Sequence, residues 1–298
     1  MEWLRTPADR FRNLPDYPYA ANYALLEFDG GMRRMHYIEK GSGDVVLCLH
    51  GEPSWSFLYR KFLPVLSPEA RVICPDLFGF GRSDKPSKFE DYSFKLHFDS
   101  LQAFLDQQNL QDITLVCQDW GGLLGLSLVG AQPERFKRLV IMNTFLPVGD
   151  RPLGPAFEAW RSFVATHPDF IISKVIDMAT GRELGPGVAE AYDAPFPSED
   201  YKAGARSFPA LVPENADAEG VPEMQKAREV LAQWTKPCMV IWGNQDPIMA
   251  GGDKWFNNHI PSRVGEQTIP IIDAGHFLQE DAGVEIAYHI LGFLRKNP

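Results

Sequence analysis

A chain of 298 residues, 45% of them hydrophobic, is long enough for one large domain or for a core carrying a smaller insertion. Its formal net charge of −10 argues against nucleic acid and anionic membrane surfaces as partners. The N-terminus, Met1-Glu2-Trp3-Leu4-Arg5, lacks the apolar core of a signal peptide, and no apolar run reaches the ~18 residues of a membrane span, so a cytoplasmic location is expected. The four cysteines, Cys48, Cys74, Cys117 and Cys238, lie in or beside apolar runs and read as small buried hydrophobes. Their spacing fits neither a disulfide framework nor a zinc site.

In chain order, apolar runs alternate with amphipathic stretches in a βαβα rhythm. Residues 24–28 and 32–39 read as two strands joined through Asp29-Gly30-Gly31, a hairpin turn. Short β-rich runs follow at 45–49, 71–74, 113–117 and 139–142, separated by helical patterns. That spacing implies right-handed crossovers and a mostly parallel sheet. Between about residues 147 and 222 the rhythm breaks, and this quarter of the chain holds ten of the 24 prolines and no convincing strand. Strands resume at 238–242 and near 267–269, and a last helix covers about 282–294. Because the β pattern returns, the irregular quarter reads as an insertion after the sixth strand, over the strand C-termini where α/β sheets bind ligands. The expected fold is α/β, with an eight-stranded, mostly parallel sheet whose first two strands are antiparallel. Residues 1–146 and 223–298 form its core, and residues 147–222 a helical cap.

The stretch Leu115-Val116-Cys117-Gln118-Asp119-Trp120-Gly121-Gly122 carries the most information. An apolar strand meets one polar residue, and a Gly-Gly pair opens a helix. This is the outline of a nucleophile elbow, usually Gly-x-Ser-x-Gly, with Asp119 in place of the serine. A carboxylate is ionised at neutral pH and can displace a leaving group from carbon, forming an ester on itself. Asp is also a good helix N-cap, which gives Asp119 a purely structural reading as well. Further along, Gly243-Asn244-Gln245-Asp246-Pro247 places a carboxylate just past the seventh strand, and Asp273-Ala274-Gly275-His276-Phe277 places a histidine after the eighth. Nucleophile, acid, histidine is the chain order of an α/β-hydrolase triad, here Asp119, Asp246 and His276, with Asp253 and Asp273 as rivals for the acid. The run Leu49-His50-Gly51-Glu52-Pro53-Ser54-Trp55 leaves the third strand through a glycine turn. Such a loop aims one backbone N–H at a developing oxyanion, and the residue after the nucleophile supplies the second; here these are Glu52 and Trp120. His50 and the run Asp76–Ser83 read as structural.

With these residues in this order, the sequence resembles the haloalkane dehalogenases of the α/β-hydrolase fold over nearly its whole length. The resemblance is to the subfamily whose triad acid follows strand seven. It rests on His50-Gly51-Glu52-Pro53-Ser54-Trp55, Gln118-Asp119-Trp120-Gly121-Gly122, Phe157-Glu158-Ala159-Trp160 and Asp273-Ala274-Gly275-His276-Phe277. Other members carry the acid after strand six, where this chain has Asn143, which cannot be an anion. The resemblance implies hydrolysis of haloalkanes to a primary alcohol and halide, through an alkyl ester on Asp119 that His276-activated water cleaves. No cofactor or metal is implied; the partners are a small halogenated alkane, water and halide. It also pairs Trp120 with Trp160 as halide donors, a role that suits indole because its N–H donates and does not accept. Trp242 is the alternative second donor. Phe157 and Phe208 are expected to line the pocket, with Phe145, Phe163 and Phe277 as further candidates, and the side chain of Glu52 is a candidate for positioning water.

Two other functions fit part of the pattern. An epoxide hydrolase shares the aspartate, the histidine and the adjacent tryptophan, but needs two cap tyrosines to protonate an alkoxide; the cap offers Tyr192 and Tyr201. A ligand-binding receptor on the same fold would have lost a triad or oxyanion element, and this chain retains them all. If His276 works as a neutral base, activity should fall as pH drops through its ordinary pKa near ~6.5.

Overall fold

The computed structural model describes residues 1–298. Eight strands form the main sheet: β1 (Asn22–Phe28), β2 (Gly31–Lys40), β3 (Val45–Leu49), β4 (Arg71–Pro75), β5 (Ile113–Gln118), β6 (Phe136–Met142), β7 (Cys238–Gly243) and β8 (Ile269–Ile271). Their order across the sheet is β1-β2-β4-β3-β5-β6-β7-β8. Only β2 opposes its neighbours; every pair from β4 to β8 is parallel. This is the α/β-hydrolase architecture.

Local chemistry accounts for the elements. The hairpin turns at Asp29 and Gly30, both at positive φ (50° and 66°), as a type I′ turn requires. β3 and β5 are buried along their whole length, the pattern of central strands covered on both faces. Helix Phe94–Gln107 begins where the Leu96 N–H donates to the Ser93 hydroxyl oxygen at 3.0 Å. Helix Trp120–Ala131 packs between β5 and helix Val221–Leu231 and is buried almost throughout. All four cysteines are free and buried. No helix is long and apolar enough to cross a membrane.

Two boundaries differ from the sequence reading. β8 is Ile269–Ile271 rather than 267–269: Gln267 is exposed, its carbonyl held by the Arg263 guanidinium at 2.6 Å. Pro270 lacks an N–H and is tolerated because β8 lies at the sheet edge. The final helix spans Leu278–Lys296, and residue 282, its expected start, is instead a kink (φ −139°, ψ 32°) joining an extra first turn to the long amphipathic part.

Between β6 and β7 the chain forms helices Pro155–Thr166, Ile172–Met178, Val188–Asp193 and Ala203–Leu211, with no strand. Two carboxylates on the final helix tie this segment down. Glu280 accepts from Tyr192 Oη at 2.5 Å, from Arg60 Nη2 at 2.8 Å and from Lys61 Nζ at 3.1 Å. Asp281 accepts the backbone N–H groups of Gly181, Arg182 and Gly275 at 2.9–3.0 Å.

Candidate active site

β5 ends at Gln118, and the chain turns sharply into helix Trp120–Ala131. Asp119, at the turn, has φ 51° and ψ −129°, a strained conformation for any residue with a Cβ. Its N–H donates to the Asn143 carbonyl at 3.0 Å, and the Thr144 hydroxyl donates to its carbonyl at 2.7 Å. Glycine is required on both sides. A Cβ at Gly121 would lie 2.1 Å from the Leu49 carbonyl oxygen, and one at Gly51 would lie 2.1 Å from Asp119 Oδ1. The Asp119 side chain does not cap the helix; instead the Glu52 N–H donates to Oδ1 at 2.7 Å. Trp120 is the first helical residue, so its N–H has no intrahelical partner.

His276 lies between two carboxylates. Its Nδ1 is 2.7 Å from Asp246 Oδ2, and its Nε2 is 3.4 Å from Asp119 Oδ2. Asp246 takes three more donors: Asn143 Nδ2 at 2.8 Å and the N–H groups of Ile248 and Met249 at 2.9 and 3.1 Å. Burial opposes its charge, but His276, Asn143 and the Met249 N–H together hold the carboxyl below its usual range. An ionised Asp246 fixes the His276 proton on Nδ1. Burial also disfavours an imidazolium, yet the Asp246 and Asp119 carboxylates outweigh it and push His276 up to about 10. The ordinary value near 6.5 therefore does not hold while both carboxylates are charged. The rival acids pair elsewhere, Asp253 with Thr268 at 2.8 Å and Asp273 with Gln245 at 3.1 Å.

A cavity of about 350 Å³ lies over this group, with Glu52, Asp119, Trp120 and His276 on one side. Phe157, Trp160, Val175, Met178 and Val212 face them from the helical segment between β6 and β7, and Phe145 and Phe277 complete the aromatic lining. Glu52 is buried; burial and the Asp119 charge push its carboxyl well above the ordinary range against the pull of His276, and its Oε1 has no partner. Trp242 does not compete for the cavity, because its indole N–H donates to the Met249 carbonyl at 3.1 Å.

Comparison with known proteins bears on the same residues. The α/β hydrolase fold family matches residues 44–177. A haloalkane dehalogenase of Psychrobacter cryohalolentis is 45% identical over 100% of both chains, and one of Mycolicibacterium paratuberculosis is 45% identical over 98% of each. The chain belongs to the haloalkane dehalogenases. Among solved structures it is similar to the tetrameric haloalkane dehalogenase DpaA of Paraglaciecola agarilytica NO2, with a TM-score of 0.93 and 38% identity over 98% of each chain.

Within this dehalogenase cavity the structure corrects two expected lining residues. Phe208 is fully buried behind Trp120, with ring centroids 4.6 Å apart, and also contacts Phe80 and His97. Pro209, in the last turn of the helix, and Val212, just past its end, line the cavity in its place. Phe163 likewise backs Trp160, stacked at 5.9 Å and 24°, rather than facing the cavity. Each of these phenylalanines supports a tryptophan. Tyr192 is buried against Glu280, and neither it nor Tyr201 lines the cavity.

Two residues beside Asp119, Asp246 and His276 have no role that the sequence alone assigns. Gln118 Nε2 lies 2.9 Å from His276 Nε2 and 3.1 Å from the His276 carbonyl oxygen. Asn143 was noted there only as unable to replace the acid, yet it shares Asp246 Oδ2 with His276. Gln118 is the last residue of the mostly apolar β5 and Asn143 the first residue past β6, and a polar side chain at each of these strand ends is the signal that could have found them.

Proposed function

We propose that the protein hydrolyses haloalkanes to a primary alcohol and halide through an alkyl ester on Asp119. The observation that carries this reading is Asp119, held between the Glu52 N–H and His276, facing a mainly apolar cavity lined by Trp120 and Trp160. Asp119 attacks the halogen-bearing carbon in line; the C–O bond forms as the C–halogen bond breaks, and the halide leaves with the electron pair. The indole N–H groups of Trp120 and Trp160 receive it. A preorganised donor of this kind contributes about 2.7–4 kcal/mol in the oxyanion case.

Esterification removes the Asp119 charge, and with it one of the two carboxylates that hold a second proton on His276. The imidazole becomes a neutral base whose Nε2 takes a proton from water, and the resulting hydroxide attacks the ester carbonyl. The N–H groups of Glu52 and Trp120 stabilise the oxyanion and Asp246 supports the imidazolium; on collapse the expelled alkoxide leaves as the alcohol with the imidazolium proton, and the new Asp119 carboxyl gives up its own proton to solvent. The side chain of Glu52, in the same cavity, is the group that would hold the attacking water. In this reading residues 147–222 form a cap over a core made of residues 1–146 and 223–298.

The test is halide release from 1,2-dibromoethane, 1-bromobutane and 1-chlorobutane at mildly alkaline pH, with styrene oxide consumption run alongside. Bromide release with little epoxide turnover is expected; epoxide turnover without halide would overturn the reading. His276→Ala should form the alkyl-enzyme and fail to release it, so intact-protein mass spectrometry should show one added alkyl group per chain. An unmodified variant beside a fully active parent counts against the scheme.

A further inference from the structure

Gln118 closes β5 and is completely buried between the Asp119 turn and His276. Its amide nitrogen lies 3.1 Å from the His276 carbonyl oxygen, which only accepts, so the NH₂ end of the amide faces this contact. The same nitrogen is 2.9 Å from His276 Nε2. Asp246 requires the proton on Nδ1, so in the neutral ring Nε2 carries the lone pair and accepts the second Gln118 N–H. The amide oxygen, Oε1, is buried without a partner. A buried orphan acceptor is unfavourable, so the orientation of this amide is dictated by His276 and not by a closed network.

We propose that Gln118 is a positioning residue that holds His276 in the neutral form, with its lone pair on Nε2, for the ester-hydrolysis step; this rests on the triad reading above. The groups around the ring pull in opposite directions. The Asp246 and Asp119 carboxylates favour the imidazolium, whereas burial and the Gln118 N–H favour the neutral ring. Glu52 faces the site from the oxyanion loop, and Asp281 holds the Gly275 N–H immediately before His276. A proton on Nε2 would meet the Gln118 N–H donor to donor, and has Asp119 Oδ2, at 3.4 Å, as its acceptor instead. Once Asp119 is an ester that acceptor has lost its charge, and Gln118 tips the ring to neutral. Its second bond, to the His276 carbonyl, fixes the ring relative to its own backbone. Gln118 thus acts before proton transfer, and its effect falls on ester hydrolysis rather than on ester formation.

Rapid-quench measurement of alkyl-enzyme formation and decay with 1,2-dibromoethane, from about pH 6 to 10, tests this on the wild type, Gln118→Met and Gln118→Glu. Gln118→Met keeps the volume and removes the donor. The ester should form within about twofold of the wild-type rate. Its decay midpoint should move up by about one pH unit, slowing decay about tenfold near neutrality and recovering in alkali. Gln118→Glu, with no donor and an added charge, should move it further. A decay midpoint that stays in place or moves to lower pH, in either variant that forms the ester, overturns the proposal. If Gln118→Met does not fold, Gln118→Glu decides by the same midpoint. If the wild type itself forms no alkyl-enzyme, the triad reading fails and this inference falls with it.

Discussion

In the proposed mechanism two tryptophans, Trp160 and Trp242, compete to be the second halide donor beside Trp120, and their hydrogen bonds and packing separate them. Trp242 already donates to the Met249 carbonyl, while Trp120 and Trp160 line the cavity with Phe208 and Phe163 against their rings. Aromatic packing of this kind fixes the plane of an indole and so the direction of its N–H. Trp160→Phe would remove the donor and keep an aromatic ring on Phe163. It should lower kcat/KM for bromoalkanes by about 10²–10³, the loss typical of one preorganised donor, with little change in Tm. Trp242→Phe should behave the opposite way, losing about 0.5–1.5 kcal/mol of stability with its hydrogen bond and retaining halide turnover. Halide release and thermal melts on the two variants check both, and the reverse pattern would exchange the roles of Trp160 and Trp242.

Elements meet at the final helix, whose first turn presents Glu280 and Asp281 to different partners. Glu280 is buried; burial alone would raise its carboxyl, but Arg60, with Lys61 and Tyr192, holds it below the ordinary range. Glu280→Gln would leave the Arg60 guanidinium buried without its counter-ion, so a loss of about 3–5 kcal/mol in urea unfolding is expected. A loss below 1 kcal/mol would mean that water or another anion takes the place of Glu280. None of this was legible from the chain, because Glu280 and Asp281 are two acidic residues at the start of a helix, a pattern that solvent explains equally well. The strands were legible, since β3 and β5 are unbroken apolar runs and the β1–β2 turn has its Asp-Gly signature. β8 was misplaced by two residues because its pairing depends on the neighbouring edge, not on its own composition. Asp119, Asp246 and His276 each stand just past a strand end, so a chain-order reading could locate them before any distance was known. Phe208 differs from its expected place because an aromatic-rich stretch does not show which of its rings faces the cavity and which packs behind another ring. Gln118 escaped because one polar residue at the end of an apolar strand says nothing about the histidine 158 positions later that it bonds.

Across the whole molecule, buried titratable groups set how the fold responds to acid. His97 is packed between Tyr92 and Phe208 with neither ring nitrogen bonded, and burial, with His50 nearby, drives it down to about 3. An unfolded histidine titrates near ~6.5, so between the two values the unfolded chain binds one more proton than the fold. The stability from a neutral His97 is therefore complete above that pH and is lost at about 1.4 kcal/mol per pH unit as pH falls toward 3. His50, also lowered by burial, acts in the same sense. Asp76, Asp246 and Glu280 add a later stage. Burial opposes each of their charges, but His36 and His50 at Asp76, His276 at Asp246 and Arg60 at Glu280 hold them below ordinary carboxyls. Their contribution is full above an unfolded value near ~4 and is lost as pH falls through the folded ones. Acid destabilisation should thus come in two stages, a shallow histidine limb and a steeper carboxylate limb. Urea-unfolding free energies at about pH 6.5 and 4.5, on the wild type and His97→Leu, separate them: the variant should lose roughly 2–3 kcal/mol less over that interval. Equal losses in the two proteins would mean that His97 takes up its proton inside the fold, and would assign the shallow limb to His50.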